Sequence, residues 1–245
     1  MLCKKTEPHV SGILAGDGTG SGGRYVGMAP KAGLYVVKVL DHRGEGMKNI
    51  FLRGCEHILR VHREKGIRVV NISIGALSEQ EGEEASELVW MLNRLWDAGL
   101  VVCVAAGNGG KGQGSVTALG VSRKVITVGS SDDEFPVHLG NRKMQDYSGR
   151  GPTRGCIMKP EIVAPGYRIV AAHRLQGKTG GLYAIRSGTS MAAPVVSGGV
   201  ALLLEKEPEL TNTQVKLRLR SSARDLGHSI AQQGWGEINL KELLR

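Results

Sequence analysis

The chain has 245 residues, 41% of them hydrophobic and 22% charged, with a formal net charge of +9. That is enough apolar material for a sizeable core in one domain, and it excludes a disordered chain. No apolar run approaches the roughly 20 residues a membrane-spanning helix needs.

In chain order, residues 10–15 are a short apolar run entering a glycine loop, Gly16 to Gly23. Residues 34–40 (LYVVKVL) are β-branched, end at Asp41, and predict a buried parallel strand. Residues 49–65 have helical spacing, and 69–74 predict a strand that stops at Gly75. Residues 83–98 predict an amphipathic helix with Leu88, Leu92, Leu95 and Trp96 on one side. The most hydrophobic strand, 100–106, ends in Gly107-Asn108-Gly109-Gly110, and 125–128 predict one more. A loop-rich basic region follows, then an apolar helix over 191–205 and an amphipathic one over 213–222. Strands that are apolar throughout, alternating with helices, predict an α/β fold with a mostly parallel sheet covered on both faces. No repeat or linker interrupts it, so residues 1–245 are expected to form a single domain.

The positive charge is concentrated. Between residues 135 and 186, Arg142, Lys143, Arg150, Arg154, Lys159, Arg168, Arg174, Lys178 and Arg186 face only Asp146 and Glu161. No aromatic side chains interleave with them as a base-stacking platform would require, so nucleic acid is not the expected partner. Cys3, Cys55, Cys103 and Cys156 are too scattered for a disulfide framework or a zinc site. The first residues, MLCKKTEPHVSG, contain no apolar signal segment, which sets a cytoplasmic location as the default expectation, with secretion left open by the N-terminus discussed below. The Gly18-x-Gly20-x-x-Gly23 pattern lacks the flanking strand and helix of a dinucleotide site.

In an open parallel sheet, function gathers at the carboxyl ends of the strands. Three such places stand out: Ser73-Ile74-Gly75, Ala105-Ala106-Gly107-Asn108, and the loop Ser187-Gly188-Thr189-Ser190 before the long apolar helix. Ser190 lies at a helix start among small residues, where unpaired N–H groups and the helix dipole suit a developing oxyanion. The same position also suits a simple N-cap. Asn108, between glycines, is either a turn residue or the side-chain donor of an oxyanion hole.

The run SGTSMAAPVVSGGVALLL, with AAGNGG upstream and KPEIVAPG at 159–166, resembles the subtilisin-like serine proteases, or subtilases. VGMAPKAGLYVVKVLD, VVNISIGA, SRKVITVGSSDD, YSGRGPT and QGWGEINL match the same family in the same order, from His9 to Leu240. The resemblance implies a three-layer α/β/α domain whose N-terminal strand region is missing and whose activity is endopeptidase cleavage of polypeptides. It makes Ser190 the nucleophile and Asn108 the oxyanion donor. It makes Ser73, Ile74, Gly75, Ala105, Ala106 and Gly107 the segments that line an extended substrate. Family members often bind Ca²⁺, but Asp132-Asp133-Glu134 is a weak candidate, so no cofactor is expected; the oligomeric state is not specified.

The match has a gap at its start. His9-Val10-Ser11-Gly12 corresponds to the second half of the family's H-G-T-H-V-A/S-G motif, so the catalytic His falls on Thr6 and the catalytic Asp before Met1. Residues 1–8 match nothing in the family. A misplaced start or a frameshift is the expected origin of this break. His9, Asp41 and the other histidines are not expected to substitute, and a serine without a base is a poor nucleophile. The chain as written is therefore expected to be nearly inactive, and marginally stable with a sheet edge or groove left uncovered. The alternative expectation is a non-catalytic pseudoprotease that binds extended peptides by strand addition.

Overall fold

The computed structural model describes residues 7–40, 47–74, 86–139, 142–173 and 181–245. In chain order the elements are α1 (Glu7–Ala15), α2 (Lys48–Val61), β1 (Val69–Ile72), α3 (Glu87–Asp97), β2 (Val101–Ala105), β3 (Ile126–Ser130), β4 (Val137–Leu139) and β5 (Arg142–Met144). They continue with β6 (Ile162–Ala164), β7 (Ile169–Ala172), β8 (Tyr183–Arg186), α4 (Thr189–Lys206), α5 (Asn212–Ser222), α6 (Ile230–Gln233) and α7 (Leu240–Leu243). The expectation for residues 41–46, 75–85 and 174–180 lies outside the described residues.

The main sheet runs β1-β2-β3-β6, all parallel, with Val69 opposite Val101, Cys103 opposite Ile126 and Val128 opposite Ile162. Every residue of β2, β3 and β6 is buried, as strands covered on both faces require. On one face α4 packs along all four strands, and Ser197 on it donates to Asn71 Oδ1 at 2.9 Å. α3 covers β2 with α2 against it, completing the three-layer α/β/α arrangement. α3 forms because Leu88, Leu92 and Leu95 repeat on one side and are each fully buried, worth about 1.5–3 kcal/mol apiece. Its start is capped by Ser86, which accepts the Val89 N–H at 3.2 Å. Thr211 and Gln214 form a reciprocal capping box at the start of α5.

Two expectations need correction. Residues 34–40 form no strand and pair with none among the described residues; Leu34, Tyr35 and Val36 are 47%, 45% and 53% exposed, while Val39 and Leu40 are buried. The reason is geometric. A groove of about 830 Å³ separates this segment from the outer edge of β1, with Ser197 and Ala201 of α4 and Leu14 of α1 among the residues lining it. Neither backbone reaches the other, so no ladder forms. The basic 135–186 region, read as loop, holds two antiparallel hairpins, β4–β5 and β7–β8, in strands of only three or four residues. Such strands are too short to show a period of two.

α1 bridges α4 and the β7–β8 hairpin, and His9 fastens it. Its fully buried ring directs Nε2 at the Ile169 carbonyl (3.1 Å) and the Ala184 carbonyl (3.0 Å). Burial holds this imidazole below its ordinary pKa of 6.5, opposed in part by the bond to Ala184 and reinforced by Arg186. The unfolded chain therefore takes up a proton before the folded chain does. Stability is fully present above pH 6.5 and is lost as pH falls through that value toward the folded pKa. Urea midpoints should drop between pH 7.5 and pH 5.5, and His9→Gln should flatten that dependence.

Candidate active site

The carboxyl ends of the sheet strands meet the start of α4. β2 ends at Ala105, and the chain turns at Gly107, whose φ of +97° suits glycine and delivers Asn108 beside the helix. Asn108 Oδ1 accepts the Thr189 N–H at 3.0 Å and the Thr189 hydroxyl at 3.1 Å. Thr189 Oγ1 in turn accepts the Gly107 N–H at 3.0 Å. An obligate backbone donor on Oδ1 fixes which end of the amide is which, so the NH₂ group is turned away from these bonds and free to donate. A Cβ built on Gly188 would stand 3.2 Å from that Nδ2, and Gly188 has φ +136°. Asn108 and the residues just before Ser190 are thus in direct contact.

Ser190 sits in the first turn of α4, half-buried, and its hydroxyl makes no hydrogen bond among the described residues. Pro194 has no N–H to return to the Ser190 carbonyl, which loosens this turn's ladder at the serine. First-turn N–H groups and the Asn108 amide supply donors of the kind that stabilise an oxyanion. The arrangement fits a hydroxyl nucleophile with charge stabilisation; acyl transfer additionally needs a base.

Ser73 and Ile74 lie past the end of β1 and are buried to 7% and 5% exposure, with Ser73 Oγ accepting from Asn71 Nδ2 at 3.0 Å. Gly75 and Thr6 lie outside the described residues. Ala105, Ala106 and Gly107 are buried, and much of their backbone is already engaged. The Ala106 N–H donates to Val128 O and its carbonyl accepts the Thr117 N–H, while Gly107 O accepts the Gly149 N–H. These residues offer a close-packed wall more than a free ladder edge. Of the other histidines considered, His57 bonds the Tyr35 hydroxyl at 2.7 Å and His62 Nδ1 faces Leu59 O.

Asp132 and Asp133 are committed to protein donors. Asp132 Oδ1 accepts the Gly166 and Tyr167 N–H groups and the Ser130 hydroxyl, and Asp133 holds Arg150 and the Ser148 N–H. Burial raises the Asp133 carboxyl above its usual range despite the Arg150 charge. Cys103, buried under α4, is pushed up to about 12 by desolvation and is chemically inert. Thr189 is the member of this cluster that sequence reasoning did not single out. Its neighbour Ser190 carried the motif, and only the fold reveals that Thr189 latches the helix start to Asn108.

Residues 8–236 match the Subtilase family of peptidases, and the chain belongs to that family. Serine protease AprX of Bacillus subtilis is 36% identical over 242 residues, covering 90% of this chain and 55% of that protein. Subtilisin E of the same organism is 34% identical over 236 residues, covering 95% and 54%. The chain spans about half the length of these curated relatives. Among solved structures, the S41 psychrophilic protease superposes with a TM-score of 0.78 at 26% identity, covering 96% of this chain and 77% of its own. Sphericase does so at 0.76 and 27%, covering 94% and 76%. No described helix is long and apolar enough to cross a membrane.

Proposed function

We propose that this chain carries the nucleophile and oxyanion half of a serine endopeptidase site acting on polypeptides, and that the 245-residue polypeptide is inert until a general base is supplied. Ser190 is the nucleophile, and the Asn108 amide with the first-turn N–H groups of α4 receives the oxyanion. The observation that carries this reading is the bond pair from Thr189 to Asn108 Oδ1, which leaves the Asn108 NH₂ free beside the serine turn. The inertness follows from the residues at hand. His9 spends its Nε2 on two carbonyls, and Thr6 has no basic nitrogen. In subtilisin itself, losing the base costs about a million-fold in kcat.

The chain should hydrolyse neither casein nor a peptide anilide above the level of its Ser190→Ala variant. Supplying an N-terminal segment with a D-S/T-G strand, and H-G-T in place of Thr6-Glu7-Pro8, should bring up Ser190-dependent hydrolysis. Activity in the unmodified chain that vanishes in Ser190→Ala would overturn the inertness and direct attention to another base. The groove between residues 33–36 and β1 favours a second reading, a pseudoprotease that captures an extended peptide at an open sheet edge. Tight peptide binding with no hydrolysis after the segment is restored would support it.

A further inference from the structure

Asp132 stands just past the end of β3, half-buried, and one of its carboxylate oxygens serves three donors. Its Oδ1 accepts the Gly166 N–H at 2.8 Å, the Tyr167 N–H at 3.0 Å and the Ser130 hydroxyl at 2.9 Å. Two of these donors are successive backbone groups of the turn between β6 and β7, and the negative charge strengthens both bonds. That turn is bonded in its own right to the loop before Ser190: the Gly166 carbonyl accepts the Gly188 N–H at 2.9 Å. Gly166 fits closely between the two. A Cβ there would collide with Ser130 Oγ and stand 2.9 Å from the Gly188 carbonyl oxygen. Ser130 is buried, with its Oγ 2.9 Å from the hydroxyl of fully buried Tyr147, so the floor beneath the turn is packed.

The loop before Ser190 is thus held from two sides. Asn108, past the end of β2, takes the Thr189 N–H and hydroxyl, and Gly166, past the end of β6, takes the Gly188 N–H. Only the second side ends on a charge. We propose that Asp132 is a positioning residue for the serine site, an assignment that rests on the protease reading above. Its carboxylate fixes the 166–167 turn, the turn fixes Gly188, and both sides together set Ser190 against the Asn108 amide. Asp132 itself touches no reacting atom. Its contribution is preorganisation: nucleophile and oxyanion donor come from separate strand ends, and a misplacement of about 1 Å between such groups can cost about 10²-fold in rate. The neighbouring Asp133 has other partners, Arg150 and the Ser148 N–H, and does not share the role.

The test has two arms, and the first needs no turnover. On the 245-residue chain, amide exchange is followed residue by residue by NMR. Asp132→Ala should speed exchange of the Gly188 and Thr189 N–H groups about tenfold, together with Gly166 and Tyr167, and shift the Asn108 side-chain NH₂ signals. Asp132→Asn, which keeps an oxygen acceptor in place, should restore most of the protection. Glu134→Ala, which removes an exposed acid nearby, should change none of these signals. Gly166→Ala leaves the carboxylate intact but crowds the middle link, so it should loosen Gly188 and Thr189 even if Asp132→Ala fails to fold. Faster exchange confined to Gly166 and Tyr167, or no change at Gly188 and Thr189 in either variant, would overturn the proposal. In the restored domain, Asp132→Ala should lower kcat on a peptide anilide about tenfold while KM stays nearly constant, and Asp132→Asn should recover most of the loss. Unchanged kcat would also overturn it. A restored domain with no Ser190-dependent hydrolysis would defeat the protease reading, and the exchange arm would still decide whether Asp132 braces the serine turn.

Discussion

In a domain supplied with its base, Asn108→Ala should lower kcat by about 10²–10³-fold, the magnitude known for the corresponding loss in subtilisin itself. KM should barely move, because this hydrogen bond gains strength only as negative charge develops on the carbonyl oxygen. The geometry supports so large an effect. Thr189 holds Asn108 Oδ1 through two bonds of 3.0 and 3.1 Å, so the amide is oriented before substrate arrives. A preorganised donor loses nothing to reorientation during the reaction. Asn108→Asp separates this role from packing: it is nearly isosteric, yet it replaces the NH₂ with a charged acceptor facing the oxyanion. Steady-state kinetics on a peptide anilide would read both. Unchanged kcat in Asn108→Ala would reduce Asn108 to a turn residue.

The largest expected stability effect lies away from the site. Lys159 is fully buried, and its Nζ donates to Ser122 O at 2.5 Å and Glu161 Oε1 at 2.6 Å. Glu161 also accepts the Thr127 N–H at 2.8 Å and Lys216 Nζ at 3.1 Å, tying β3, β6 and α5 together. Lys159→Met leaves the carboxylate buried with a single, partly exposed cation, and should cost about 3 kcal/mol, the lower end for a broken buried pair. Lys124 forms a bond of the same length, 2.6 Å, to Asp97, but both side chains are roughly half exposed. Lys124→Met should cost less than about 1 kcal/mol. Urea unfolding of the two variants side by side checks the contrast. Equal losses would mean that the buried network contributes no more than a surface pair.

What the sequence could reveal depended on how local each signal was. β2 and α4 were legible because their apolar runs are long and uninterrupted, and burial on both faces makes such runs unambiguous. Ser190 and Asn108 were singled out by short motifs, and the fold sets Asn108 against Gly188 and Thr189, the residues leading into Ser190. Residues 34–40 carry a strand's composition, yet a strand also needs a partner at hydrogen-bonding distance, and composition says nothing of that. The clamp from His9 joins residues 160 and 175 positions apart, and no local pattern announces it. The Thr189 latch was hidden for a different reason: threonine before a helix reads as an ordinary cap, and its actual partners, Gly107 and Asn108, lie on another strand end. The basic excess was visible, but its division into the paired Arg150 and Lys159 and the unpaired Arg168 and Arg186 required the fold.

The most direct test of the account is to trap the acyl-enzyme. The restored domain would be mixed with an activated ester substrate, quenched in acid during the burst, and digested for peptide mass spectrometry. The account predicts an acyl group on the peptide containing Ser190, absent in Ser190→Ala and strongly diminished in Asn108→Ala. Turnover of the ester by a folded restored domain with the acyl group on another residue, or with none on Ser190 at any quench time, would contradict it.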